Sequence, residues 1–176
     1  ADLKGRKIRA IGPADAAFVR ALGAEATTTN WSELYTGLQQ GVVDGLMAAD
    51  GAYLAMKFYE VTGNIYDTAN AGPSFFILVN EQALAKLPAD VREKFLGMRN
   101  TLTDANRTSY MTLDPKARQA LLQHGVKVHP VKDADQAKMR EVAKPIIERW
   151  AARLNPESRK IYDVAKSMID AHYAGK

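Results

Sequence analysis

Three side chains in this sequence are placed where they could do chemistry: Arg9, Trp31 and Asp50. Arg9 stands two residues before an Ile11-Gly12-Pro13 turn, at the end of a short alternating run, so it can project toward the carboxyl ends of a sheet's strands, where open α/β sheets bind ligands. A guanidinium fork meets a carboxylate with two parallel hydrogen bonds, which a lysine point charge cannot do. Arg9 is therefore either an anion clamp or an exposed strand arginine. Trp31 follows a run of β-branched residues and opens a helical pattern, so it belongs at the same rim. There it either stacks on a ligand or staples its helix to the core. Asp50 follows an apolar run and is well placed to cap the helix after it.

Other chemistries find no residues to carry them. The absence of cysteine excludes a disulfide framework, a zinc–thiolate site and a thiol nucleophile. His124, His129 and His172 lie far apart, without the i, i+4 spacing of a helical metal pair, and read as surface residues. There is no G-x-S-x-G elbow and no glycine-rich phosphate cradle. Acidic neighbours such as Asp133 with Asp135, or Glu157 with Asp163, fall at helix starts or on polar faces, where the helix dipole accounts for them. These observations imply no cofactor, no metal and no catalysis.

The elements that must position Arg9 and Trp31 follow from periodicity. Residues 7–12 alternate as a strand; residues 14–22 carry Phe18, Val19 and Leu22 on one helical face and stop at Gly23. Residues 25–30 suit a second strand, with Asn30 and Glu33 at capping-box spacing for a helix bearing Trp31, Leu34, Tyr35 and Leu38, which ends near Gly41. Residues 42–49 read as a buried strand interrupted by Asp44-Gly45, and residues 50–59 as a helix. Residues 72–80 form the most apolar run and the best strand candidate. From Pro88 one long helix is expected, kinked or restarted at Asp114-Pro115 and ending at Gly125. A short strand at 126–131 and helices at 134–154 and 157–173 follow, the first bent at Pro145. Alternating strands and helices predict an α/β fold with parallel neighbours.

The chain has 176 residues, 47% hydrophobic and 25% charged, enough for a folded core in one domain or one lobe of something larger. Its net charge of +4 comes from scattered basic residues rather than a block, a poor match to nucleic acid and equally suited to a small anion. No run approaches the roughly 18 apolar residues of a spanning helix, and the first ten residues lack the apolar core of a signal peptide. A soluble chain is expected, with any targeting segment upstream.

Taken in order, "DLKGRKIRA", "ALGAEATTTNWSELYTGLQQGVVDG", "KFYEV" and "FFILVNEQALAKLP" resemble the solute-binding proteins of tripartite ATP-independent periplasmic (TRAP) transporters, the DctP-like family. The match is dense from Asp2 to about Pro88. The resemblance implies a periplasmic-binding-protein-like α/β lobe, a mixed sheet flanked by helices, with residues 1–88 as the ligand-binding part and 89–176 as the long helix, short strand and terminal helices packed on it. It implies a periplasmic receptor that is not an enzyme, closes on a small organic acid and delivers it to a membrane permease. Arg9 matches the family's carboxylate-binding arginine, Trp31 an aromatic that lines the cleft, and Phe75 a position bordering the ligand. Family members commonly read "VDGQENP", whose asparagine assists binding. Here Leu46, Met47 and Ala48 stand instead, so the pocket is expected to be roomier and more apolar around Ala48, with Asp50 as a substitute polar group. Family members run to roughly 300 residues in two lobes, and the resemblance implies that this sequence corresponds to the second lobe without the first. The resemblance therefore implies a C-terminal fragment that binds acid weakly or not at all and pairs with a second copy, by dimerisation or segment exchange. A small hydrolase and a basic nucleic-acid module are the alternative readings.

Overall fold

The computed structural model describes residues 3–68 and 78–174. By chain contacts the molecule divides into two compact units, one of Ala1–Trp31, Gly41–Met47 and Val131–Lys176, the other of Ser32–Gln40 and Ala48–Pro130.

In the first unit three short parallel strands are ordered β2-β1-β3: β1 (Lys7–Arg9), β2 (Glu25–Thr27) and β3 (Gly45–Leu46). The register sets Arg9 opposite Thr27 on one side and Leu46 on the other. Between β1 and β2 runs α1 (Pro13–Ala21), started by the proline and ended at Gly23, whose φ of 91° no β-carbon-bearing residue adopts cheaply. There the Gly23 amide bonds Arg20 O and the Ala24 amide bonds Val19 O, closing the helix end. Ala16 and Val19 of α1 are buried together with Ala10, Ala24 and Val43. The later helices α7 (Asp133–Ala151) and α8 (Pro156–Ala174) belong to this unit, and α1 packs on α7.

β3 is held by one aspartate. The Lys7 amide donates to Asp44 Oδ2 at 2.8 Å, while the Asp44 amide donates to Lys7 O at 2.8 Å. Gly45 then passes so close to β1 that an added Cβ would lie 3.1 Å from Ile8 Cδ1. This is shorter than the strand expected over residues 42–49: Val43 is buried, but Val42 faces solvent and pairing begins only at Gly45.

The second unit is built on α2 (Leu34–Gln39), α3 (Asp50–Ala55), α4 (Glu81–Ala85), α5 (Ala89–Gly97) and α6 (Arg99–Gln123), with a parallel pair of β4 (Asn64–Asp67) and β5 (Lys127–Pro130). Leu34, Phe58 and Leu121 are fully buried, Tyr53 nearly so, its ring edge-on to Phe58 at 6.1 Å. α3 and α6 pack tightly enough that a Cβ on Gly51 would meet Asp114 Oδ1 at 3.3 Å.

Several expectations are corrected. Trp31 heads a short 3-10 turn (Trp31–Glu33), and α2 begins only at Leu34 with Glu33 before it, so Asn30 does not cap the helix. The helix from Asp50 stops at Ala55, because Lys57 takes a left-handed φ of 55° and a 3-10 turn (Phe58–Glu60) follows. Asp50 is the first helical residue, and Ala49 occupies the cap. The single helix expected after Pro88 is two, α5 and α6, parted at Met98. Conversely α6 continues through Pro115 without a restart, since a 25-residue helix retains enough neighbouring bonds to carry one lost donor. β4 and the short α4, capped by the Asn80 side chain on the Ala83 amide at 3.0 Å, were not expected. Of the strand expected over 72–80, only Leu78, Val79 and Asn80 are described, and they are not in a strand. Phe75 lies outside the described residues.

Candidate functional site

Arg9 is the last residue of β1, at the carboxyl edge of the three-stranded sheet, where side chains of β2-β1-β3 in register share one face. The residue is half-buried there. The guanidinium turns along the segment leaving β2: Nε donates to the Thr29 carbonyl at 3.3 Å, and Cζ lies 5.2 Å from the centre of the Trp31 ring. A guanidinium over an indole is held by the ring's quadrupole without giving up its hydrogen-bond donors. Among the described residues Nη1 and Nη2 have no protein partner. The side of the fork facing away from Nε thus presents parallel donors with the geometry of a carboxylate.

The structure therefore brings Arg9 and Trp31 together, as the sequence led one to expect, and adds the Thr29 carbonyl, which no side-chain pattern could announce. Trp31 is partly exposed rather than packed as a core staple. On the far side of Arg9 in register is Leu46, and on the near side Thr27, whose Oγ1 is shut away from solvent without a hydrogen-bond partner.

Ala48 and Asp50 belong to the second unit. Ala48 is an exposed loop residue. Asp50 is not a loose polar group: its Oδ2 accepts a short bond from Arg118 Nε, and Arg118 Nη1 also reaches Asp67 Oδ2 at 3.0 Å. The hydrogen bond to Asp50 leads the causes that raise the Arg118 pKa above its ordinary value, and burial opposes it. Arg118 thus joins α3, β4 and α6, a cluster the sequence hid because Asp50 and Arg118 are 68 positions apart. Among the described residues no group of three or more His, Cys, Asp and Glu could hold a metal ion, and no helix is long and apolar enough to cross a membrane.

An arginine fork and an aromatic ring thus stand together at the carboxyl edge of a parallel sheet. The chain belongs to the family described as bacterial extracellular solute-binding protein, family 7 (DctP), whose model it matches over residues 1–154. Members of that family are extracytoplasmic binding proteins rather than enzymes. The chain is 29% identical over 141 residues to the C4-dicarboxylate-binding periplasmic protein DctP of Rhodobacter capsulatus, covering 80% of this chain and 42% of that protein. It superposes on a TRAP periplasmic solute binding protein of Desulfovibrio salexigens, solved with bound orotic acid, with a TM-score of 0.83 at 26% identity, covering 94% of this chain and 54% of the other. A TRAP periplasmic solute binding protein of Xanthobacter autotrophicus, solved with bound β-D-galacturonate, shares the fold at a TM-score of 0.84 and 20% identity. The chain spans about half the length of these relatives.

Proposed function

We propose that this chain supplies one lobe of a periplasmic receptor that binds a small organic acid for a TRAP permease, with Arg9 gripping the carboxylate and Trp31 lining the site. The observation that carries the reading is the Arg9 fork, anchored through Nε on Thr29 and seated over Trp31, with its outer donors unmatched by the described residues. Relatives named or solved with C4-dicarboxylates, orotate and succinate support an acid as the ligand class. Leu46 and Met47 favour an acid with a bulky or apolar body. The permease as partner rests on the family alone.

Self-association is the second part of the proposal. Ile161, Val164 and Met168 expose one apolar stripe of α8, and an apolar hollow of about 340 Å³ opens beside Ile146, Trp150 and Tyr162. Surfaces of this kind seek cover. A clean monomer by light scattering at high concentration would remove this part.

The test of the receptor is a thermal-shift screen of organic acids on the whole protein, repeated with Arg9→Ala. A ligand at one hundred times its Kd stabilises by about 2.7 kcal/mol, and the shift should vanish in the variant. An acid that stabilises both proteins equally would refute the assignment to Arg9.

A further inference from the structure

The carboxyl edge of the three-stranded sheet carries one charge. The strands end at Arg9, Thr27 and Leu46, and the residues that follow, 10–12 after β1, 28–30 after β2 and Met47 after β3, are all uncharged. The other cations of this βαβ unit lie at the opposite end. Lys7 opens β1, Arg6 just before it reaches Asp44 at 3.7 Å, and Arg20 is in the last turn of α1, which starts at the carboxyl edge and must run back along the sheet to reach the parallel β2. The nearest acid after β1 is Asp15 in the first turn of α1, close enough to the loop that a Cβ on Gly12 would lie 4.0 Å from its Oδ2. Ile11 is placed where a second cation could stand. It comes two residues after Arg9 and is 64% exposed, while Ala10 between them is buried. Leu46, in register with Arg9, adds a second aliphatic group to the same row.

We propose that this edge selects monocarboxylic acids with an apolar remainder over dicarboxylic acids: the carboxylate on Arg9, the remainder along Ile11, Leu46 and the Trp31 ring, and Ile11 as the residue that withholds a second cation. The inference rests on the receptor reading above and deepens it by naming the class of acid. A second carboxylate at this edge gives up water, finds no guanidinium and faces Asp15, whereas an alkyl group of the same shape loses nothing by leaving water. Discrimination of this kind comes from what the site refuses as much as from what it holds.

The experiment is calorimetric titration of the whole protein with acid pairs in which an isopropyl group takes the place of the second carboxylate: 4-methylvalerate against succinate, and 5-methylhexanoate against glutarate. The wild type should bind the monocarboxylate of each pair about tenfold tighter. Ile11→Arg places a second fork at the edge and should raise affinity for the dicarboxylates about tenfold. Position 11 is exposed, so the variant should melt with the wild type in the absence of acid. Val42→Arg adds the same charge at an exposed residue ahead of β3, at the other end of the sheet, and should leave the wild-type ratio unchanged. Dicarboxylates bound by the wild type as tightly as their partners, an Ile11→Arg protein with the wild-type ratio, or an equal gain from both arginine variants would each overturn the inference, while binding of any acid that is lost in Arg9→Ala keeps the receptor reading. Binding of no acid in an Arg9-dependent way would overturn both.

Discussion

Replacing Arg118 by methionine keeps the long apolar stem and removes the charge, and the structure gives the cost. Asp50 is left with a side chain only 15% exposed and no counter-charge, whereas Asp67, 47% exposed, recovers water. A charge-assisted bond to a mostly buried carboxylate is worth about 2 kcal/mol, and the exposed pair adds at most about 0.5 kcal/mol. The loss is therefore about 2–3 kcal/mol, below the 3–5 kcal/mol of a fully buried pair because Arg118 itself is 29% exposed. In a chain of this size that corresponds to a fall in Tm of about 5–10 °C. Asp50→Asn alone should cost less, since the amide oxygen still accepts from the guanidinium. The double variant should be more stable than the sum of the singles requires, by about 1–2 kcal/mol. Denaturant unfolding of the four proteins measures the cycle. An Arg118→Met protein within 0.5 kcal/mol of the wild type, or strictly additive singles, would refute the cross-link.

Two further outcomes follow from single groups. Tyr53 is buried and donates its hydroxyl to the Thr62 carbonyl at 2.8 Å, so Tyr53→Phe should cost about 1 kcal/mol by thermal unfolding. Burial raises the Tyr53 pKa despite the opposing bond to Thr62. Because the folded value lies above the unfolded one near 10, its contribution is complete below about pH 10 and lost as pH rises through the folded value. The stability gap between wild type and Tyr53→Phe should hold up to about pH 10 and then close. Gly125 ends α6 with φ of 82°, its amide on Leu122 O and the next amide on Leu121 O. Open space surrounds the site of a Cβ there, so Gly125→Ala should cost only the left-handed backbone, about 1 kcal/mol in denaturant unfolding.

What was legible in the sequence is what depends on near neighbours. Gly23, Gly41 and Gly125 ended helices because a positive φ is a property of one residue. Arg9 and Trp31 met because a strand's end and the next segment's start share one edge of a parallel sheet. What depends on distant partners was not legible. Asp50 reads locally as a free or capping acid, and only the packing of α3 on α6 supplies Arg118. β4 escaped notice because four residues with one buried-facing isoleucine carry little periodicity without β5 beside them. The proline in α6 misled for the same reason, since its local cost is real and is outweighed by the length of helix around it.

The Asp44-Gly45-Leu46-Met47 stretch shows how scaffold and chemistry divide along a few residues. The Asp44 carboxylate accepts from the Lys7 amide and Gly45 passes close to the Ile8 side chain, so these two residues serve the pairing of β3 with β1 through their side-chain character. Beyond them the demands on side chains end: Leu46 is held by backbone pairing beside Arg9, and Met47 by its amide on Arg9 O at 3.4 Å. Backbone bonds do not depend on which side chain is present. The side chains of Leu46 and Met47 can therefore change at no cost to the pairing that holds the sheet, and both are apolar beside the backbone of Arg9. Side chains after Gly45 can therefore vary while the backbone that carries Arg9 stays as it is.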